Sequence, residues 1–481
     1  MDGLLPLPQV SRLLRRSGDD RGAMKKRRDD TGWMKRLLWL IAACLLLAAG
    51  CAGTPVKAVP RVRKEAPAVV RPAPRVTKPV AAGGTARAGT EVSAAGETGR
   101  PLEPETTPAA SAFVRVDPAG IPALTDDADP ATLRRAVEKS LAYYDRASAG
   151  TVYRFGDRIR GVADMKASLA AFLDILNGDG APEDKWLAVR ERFDFYRSVG
   201  SDDQGRVTVT GYYEPILTGA LKRTERFRYP LYRTPEDTVT VNLGLFRERF
   251  GNERLVGRLK KGEVVPHYRR SEIDQGGVLA GRNLEIAWVD DPVELFFLHV
   301  QGSGIIRLPD GGTVRVNYAQ KNGWPFRGLA KFLFDEGKIS ASEMSHQGIV
   351  DYLHAHPEEA GDIMSHNESY VFFRRVEDGP LGALGFPVTD GRSIAVDLEL
   401  FPRGALAFLK ARKPRFEEGG IGIIWEPLNR FVLVQDTGGV FKGPGKADLF
   451  CGTGPEAGRT AGSMKEAGEL YLLILKDDRG A

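Results

Sequence analysis

The 481-residue chain is poor in the residues that build metal centres, disulfide frameworks and membrane spans. Its six histidines are scattered, and His354 and His356 lie near a helix end with no evident third ligand, so no metal site is expected. The apolar run from Leu37 to Gly50 falls short of the about 20 residues that a bilayer span requires. The formal charge is only +5 and owes much to the N-terminal region, which leaves no basis for nucleic-acid binding. Residues 454–462, GPEAGRTAG, are rich in glycine but lack the Gly-Lys-Ser/Thr ending of a phosphate-binding loop. There is no internal repeat.

The short apolar run has a different grammar. Lys35 and Arg36 precede LLWLIAACLLLAAG, and small residues lead directly into Cys51, as in an export signal. Ala48-Ala49-Gly50-Cys51 resembles a bacterial lipobox. On that resemblance Cys51 is diacylated and becomes the first mature residue, with Met24 or Met34 as the start. Acyl chains contribute about 0.8 kcal/mol per buried CH₂, so the expected result is a stable membrane anchor. Cys44 leaves with the signal and Cys51 is consumed by lipid, which leaves Cys451 alone and no intrachain disulfide. The fold must therefore be stabilised by burial. Ala52, where an aspartate would favour retention in the inner membrane, points to an outer-membrane lipoprotein facing the periplasm.

Residues 1–51 are thus read as signal and lipobox, and 52–112 as a disordered tether rich in proline and alanine. The tether has hardly an aromatic residue with which to build a core. Its prolines favour an extended chain of about 3.1 Å per residue. Beyond it, three apolar stripes predict helices: Leu133, Val137, Leu141, Tyr144; Leu169, Phe172, Leu173, Leu176; and Trp186, Val189, Phe193, Tyr196. Asp129-Pro130 supplies a cap and a first-turn proline, and Asn177-Gly178 a stop. From Val207 onward strand-like runs dominate: VTVTGYYEPIL, LEIAWVD, VELFFLHVQGSG, GTVRVNY and SYVFFRR. Helices are expected chiefly at 327–336 and 342–356. Short strands punctuated by glycine and proline suggest barrels.

The last hundred residues form one expected β unit that carries three aspartates to turns. Asp397 ends SIAVDLELFPRG, and Asp436 and Asp448 bracket DTGGVFKGPGKAD. Paired carboxyls on adjoining turns are the raw material of acid–base chemistry. Asp436 before Thr-Gly-Gly is equally suited to capping a turn, and Asp397 to tying down a loop.

The motifs GYYEP (211–215), VQGSG (300–304), NYAQKNGWPFRGLAKFL (317–333), NESYVFF (367–373), GPLGALG and DTGGVFKGPGKADLF occur in an order that resembles the membrane-bound lytic murein transglycosylase A family. The C-terminal part resembles the 3D domain, named for three aspartates. The resemblance implies a mainly β fold with N-terminal helices. Its catalytic domain is a double-psi β-barrel, built from 113–228 and 376–481 around an inserted second β domain at 229–375. It implies cleavage of the β-1,4 bond between N-acetylmuramic acid and N-acetylglucosamine with a 1,6-anhydro product and without a cofactor. A muramidase-type hydrolase and a non-catalytic wall-binding lipoprotein are the alternatives. Asp448 carries the family's acid/base, with Asp436 and Asp397 as its companions. Tyr212, Tyr213, Gln301, Ser303, Gly438, Gly439 and Lys442 are candidate saccharide contacts, any of which packing or turn formation would also explain. Expected partners are peptidoglycan strands, the membrane through the lipid anchor, and other enzymes of the cell wall.

Overall fold

The computed structural model describes residues 112–417, 422–439 and 441–477. The signal, Cys51 and the tether up to Ser111 lie outside the described residues. The chain enters with β1 (Phe113–Arg115) and α1 (Pro130–Arg146), then the hairpin β2 (Val152–Phe155) and β3 (Arg158–Gly161). It continues through α2 (Val162–Asn177), α3 (Pro182–Arg192), β4 (Phe193–Ser198) and β5 (Val207–Glu214). Asp129 caps α1 by accepting from the Ala131 amide, Pro130 opens its first turn, and Leu133, Val137 and Tyr144 bury its inner face.

A second β region follows. It holds β6 (Ile216–Ala220), β7 (Tyr229–Tyr232), β8 (Thr238–Asn242), β9 (Arg254–Lys260), β10 (Glu263–Pro266), the short α4 (Arg270–Asp274), β11 (Glu285–Val289) and α5 (Pro292–Gln301). It is completed by β12 (Ser303–Arg307), β13 (Thr313–Lys321), α6 (Leu329–Asp335), α7 (His346–Ala355), α8 (Pro357–Ser365) and β14 (Val371–Val376). The C-terminal part contributes β15 (Ser393–Ala395), β16 (Leu406–Phe416), β17 (Ile423–Asp436), β18 (Lys446–Thr453), α9 (Pro455–Ser463) and β19 (Lys465–Leu475).

The strands sort into two principal sheets. The first runs β1-β4-β19-β16-β17-β15-β18-β5, and an added pairing of β19 with β5 closes its last six strands into a barrel. Two of the barrel's pairings are parallel, β15 with β17 and β18 with β5. The second sheet runs β14-β13-β12-β6-β11-β7. It takes in Ile216–Ala220, upstream of the expected boundary at Tyr229, so β5 and β6 run from one domain into the other across Pro215. A separate three-stranded sheet, β10-β9-β8, belongs to the same inserted region.

The barrel core extends outward under the helices. Phe431 of β17 meets Phe172 of α2 and Trp186 of α3, each with ring centroids 5.0 Å apart. Full burial of one such side chain contributes about 1.5–3 kcal/mol. The second domain has its own clusters, around Leu298, Ile306 and Phe373 and around Phe297, Leu333 and Leu353. All of the described residues fall in one compact unit, Glu97–Ala481, whose cores close within it.

Two expectations from periodicity are corrected. The third helix ends at Arg192, and Phe193 and Tyr196 belong to β4, which is buried on both faces between β1 and β19. A strand buried on both sides has apolar residues at every spacing, including the helical one. Conversely, VELFFLHVQ is helix α5 rather than a strand. Its N-cap Asp291 accepts from the amides of Val293 and Glu294, Pro292 opens it, and Gly302 closes it with a φ of 82°.

Candidate active site

The barrel brings Asp436 and Asp448 to one level. Ala395, the last residue of β15, pairs with Asp436 on one side and with Asp448 on the other. The two carboxyl-bearing residues are therefore two strands apart, about 10 Å between backbones at the usual strand spacing.

Asp436 is held on all sides. Its Oδ2 accepts from the Tyr212 hydroxyl at 2.8 Å, and its Oδ1 accepts from the amides of Thr437 at 2.8 Å and Ala383 at 3.1 Å. Ala383 belongs to GPLGALG, and the glycine before it is required. A Cβ on Gly382 would lie 2.6 Å from the carbonyl oxygen of Gln435. Burial pushes the Asp436 carboxyl up to about 6, and the three donors temper the rise. Part of the residue's surface stays open, but protein surrounds the carboxyl closely enough to strip most of its water.

Asp448 is held differently. Burial likewise pushes it up to about 6; the Thr210 hydroxyl and Lys446 temper this, and the charge of Asp436 reinforces it. Thr210 is its register partner on β5, yet Asp448 Oδ1 and Thr210 Oγ1 are both buried without a hydrogen-bond partner among the described residues. Proximity without hydrogen-bond geometry accounts for both observations. The donor sets distinguish the two carboxyls. Three donors favour the ionised form of Asp436, whereas Asp448 keeps a free oxygen and faces a neighbouring negative charge.

Asp397 is buried at a turn. Its Oδ1 accepts from the Glu399 amide at 3.1 Å and its Oδ2 from the Gly443 amide at 2.8 Å, which ties the chain after β15 to the loop before β18. Thr437 Oγ1 donates to the carbonyl of Val396 at 2.7 Å and joins the Asp436 turn to the same segment.

The two tyrosines of GYYEP diverge, as alternation along β5 requires. Tyr212 faces the aspartates and packs on Phe450 with ring centroids 5.2 Å apart. Tyr213 is buried under α9 against Ala457 and Ala461. Gln301 accepts from the Tyr213 amide at 3.1 Å and anchors α5 to β5. Ser303 is buried at the start of β12 opposite Asn317. Gly439 adjoins open space, Gly438 lies against the Phe441 ring, and Lys442 extends into solvent beside Glu399.

Several supporting residues carried no signal in the sequence. Glu214 is fully buried; it accepts from the Thr453 hydroxyl at 2.8 Å and pairs with Arg315 of β13 at 3.4 Å. Arg315 also donates to the carbonyl of Gly379, and Asn317 exchanges hydrogen bonds with Leu381. The second domain thus grips one end of the loop whose other end holds Asp436. Arg392, fully buried before β15, makes a two-pronged ion pair with Asp126, each contact 2.7 Å. Such long-range pairs leave no local pattern, although the glycines of GPLGALG do hint at close backbone approach.

A cavity of 1350 Å³ lies in the second domain near Tyr229, Trp288 and Met364, and none of the three aspartates lines it. Size alone is a poor guide here, because the aspartates combine burial, paired charge and an unpartnered oxygen.

Known proteins resemble this chain in sequence and fold. The family profile described as the MltA specific insert domain matches residues 208–374, and that described as the 3D domain matches residues 392–474. Membrane-bound lytic murein transglycosylase A of Escherichia coli (strain K12) is 31% identical over 283 residues, 58% of this chain and 69% of that protein. Its Vibrio cholerae counterpart is 30% identical, over 58% of this chain and 68% of that protein. The crystal structure of a membrane-bound lytic murein transglycosylase from Agrobacterium tumefaciens aligns with a TM-score of 0.62 at 30% identity, covering 76% of this chain and 98% of that one. Escherichia coli MltA with bound chitohexaose aligns with a TM-score of 0.60 at 24% identity, covering 80% and 100%. A closed barrel that presents its aspartates beside a second β domain, together with these similarities, places the chain in the membrane-bound lytic murein transglycosylase A family.

Proposed function

We propose that this protein is a peptidoglycan lytic transglycosylase in which Asp448 alone serves as acid and then base. The observation that carries the assignment is the unequal pair. Asp436 is furnished with three donors, while Asp448, at the same level of the barrel, retains a buried oxygen without a partner. Protonated Asp448 donates to the glycosidic oxygen between N-acetylmuramic acid and N-acetylglucosamine, and the bond from C1 to that oxygen breaks. The muramyl C6 hydroxyl then attacks C1, and the Asp448 carboxylate takes its proton. The products are a 1,6-anhydromuramyl end and an N-acetylglucosamine hydroxyl; no water is consumed and the acid is regenerated. An internal nucleophile avoids much of the entropy cost of bringing in a second reactant.

In this reading ionised Asp436 stabilises positive charge on the sugar ring and keeps the proton on Asp448. Asp397 positions rather than reacts, since backbone amides occupy both of its oxygens. Tyr212 positions Asp436. Gly438, Gly439 and Lys442 border the strand's path, whereas Tyr213, Gln301 and Ser303 shape it from behind. The parallel pairings of β15 with β17 and β18 with β5 accord with a double-psi barrel, interrupted after Pro215 by the inserted domain. The chitohexaose bound to the Escherichia coli relative accords with a saccharide ligand. Cys51 carries the lipid, the outer membrane bears the protein on its periplasmic side, and other wall enzymes are its neighbours.

The test is mass spectrometry of purified peptidoglycan after incubation with the chain from Glu97. Anhydromuramyl ends are expected. Reducing ends would indicate a hydrolase, and undigested material a wall-binding protein.

A further inference from the structure

The small sheet β10-β9-β8 wears its apolar side outward. Its registers place Thr238, Thr240, Val256 and Arg258 on one face. That face meets the rest of the domain: Arg258 stacks 4.1 Å over Tyr268, Gly323 closes on the Val256 backbone, and Thr240, itself exposed, accepts from Gln320 at 3.1 Å. The opposite face carries Leu255 and Leu259 of β9 and Val264 of β10, paired in register with Leu259, and each is at least half exposed. Beside it the turn after β8 projects Leu245, 84% exposed, and Phe246, 72% exposed. A sheet with one wet face normally turns its polar side to water. A contiguous aliphatic face left uncovered marks a contact surface.

We propose that this face docks on the surface of an anionic lipid bilayer. Its chemistry is aliphatic with one phenyl ring and offers no side-chain hydrogen-bonding group, whereas protein interfaces concentrate tyrosine, tryptophan and arginine at their centres. Between residues 245 and 266 six Arg and Lys stand against three Glu, a surplus of three positive charges. Arg247, Arg249 and Lys261 are exposed in the turns that flank the apolar face, and Arg254 and Lys260, exposed at the two ends of β9, leave the sheet from its other side. Apolar side chains that enter the acyl boundary, rimmed by cations at headgroup level, are what a negatively charged membrane surface recognises. The inference is independent of the roles given to the aspartates.

The experiment is sedimentation of the chain from Glu97, which lacks the N-terminal apolar run, with two kinds of vesicle: phosphatidylglycerol mixed with phosphatidylethanolamine, and phosphatidylcholine alone. Binding to the anionic vesicles is expected to be about tenfold stronger at low salt and to weaken as salt rises. The double variant Leu245→Ser, Phe246→Ser, confined to exposed positions, is expected to lose about tenfold of that binding while digesting peptidoglycan at the wild-type rate. Absent vesicle binding, equal binding to both vesicles, or binding unchanged in the variant would overturn the proposal. A dimer that the variant dissociates, or retention on peptidoglycan that only the variant loses, would reassign the face to self-association or to the wall polymer.

Discussion

At the scale of single residues the account rests on two aspartates whose carboxyls burial raises to about 6. The same shift makes them a liability for stability. Each titrates near 3.8 when unfolded, so the folded state holds the proton more tightly between that value and 6. Their contribution is fully present below about pH 3.8 and is lost as pH rises through 6, at a cost of up to about 3 kcal/mol each. Asp448→Asn removes one such loss. In thermal melts the variant is expected to exceed the wild-type Tm at pH 7, and the gap is expected to close toward pH 4; an equal gap at both values would contradict the shift. Tyr212→Phe deletes one of the three donors to Asp436 and lets its carboxyl rise further. A hydrogen bond to a charged group contributes about 1.5–3 kcal/mol, so kcat/KM is expected to fall about tenfold or more. The acid limb of its pH profile is expected to move upward, and a profile that keeps its shape would assign Tyr212 to packing.

At the scale of elements, legibility in the sequence followed the locality of the signal. Helix α1 was legible because Asp129-Pro130 caps an amphipathic stripe, and strands β11, β13 and β14 because each is a short apolar run between turns. Helix α5 carries the same Asp-Pro signal at Asp291-Pro292, but it is buried nearly all round, and the missing periodicity hid it. Asp436 was legible as the end of a strand, Asp397 as a turn residue and Asp448 as part of the strand that follows, whereas Glu214, Arg315 and Arg392 were not, because their partners lie far away in the chain. The glycine-rich segment 454–462 is accounted for by packing. It forms α9, where a Cβ on Gly458 would lie 2.7 Å from the Tyr213 ring. Gly458→Val is therefore expected to cost about 1–3 kcal/mol by overpacking, measured by denaturant unfolding, with a larger effect than Gly439→Ala, which faces open space.

At the scale of the whole molecule the two domains are joined where the chemistry is. β5 and β6 cross between them at Pro215, and the buried Glu214, paired with half-buried Arg315, fastens the second domain to the strand end beyond Asp448. Burial raises the Glu214 carboxyl, and the Thr453 hydroxyl and Arg315 temper the rise. Arg315→Ala leaves that carboxyl uncompensated and is expected to destabilise by about 3 kcal/mol, while Glu214→Gln costs less; chemical denaturation of both variants checks the order. The most direct test of the central claim compares Asp448→Asn with Asp436→Asn on purified peptidoglycan, by the yield of anhydromuramyl ends and by retention on the insoluble strands. Asp448→Asn is expected to bind as wild type but to lose at least about a thousandfold in rate, within the range of a lost general acid, while Asp436→Asn keeps a measurable residue of activity with an altered pH profile. Continued release of anhydromuramyl ends by Asp448→Asn, with Asp436→Asn silent, would contradict it and pass the catalytic role to Asp436.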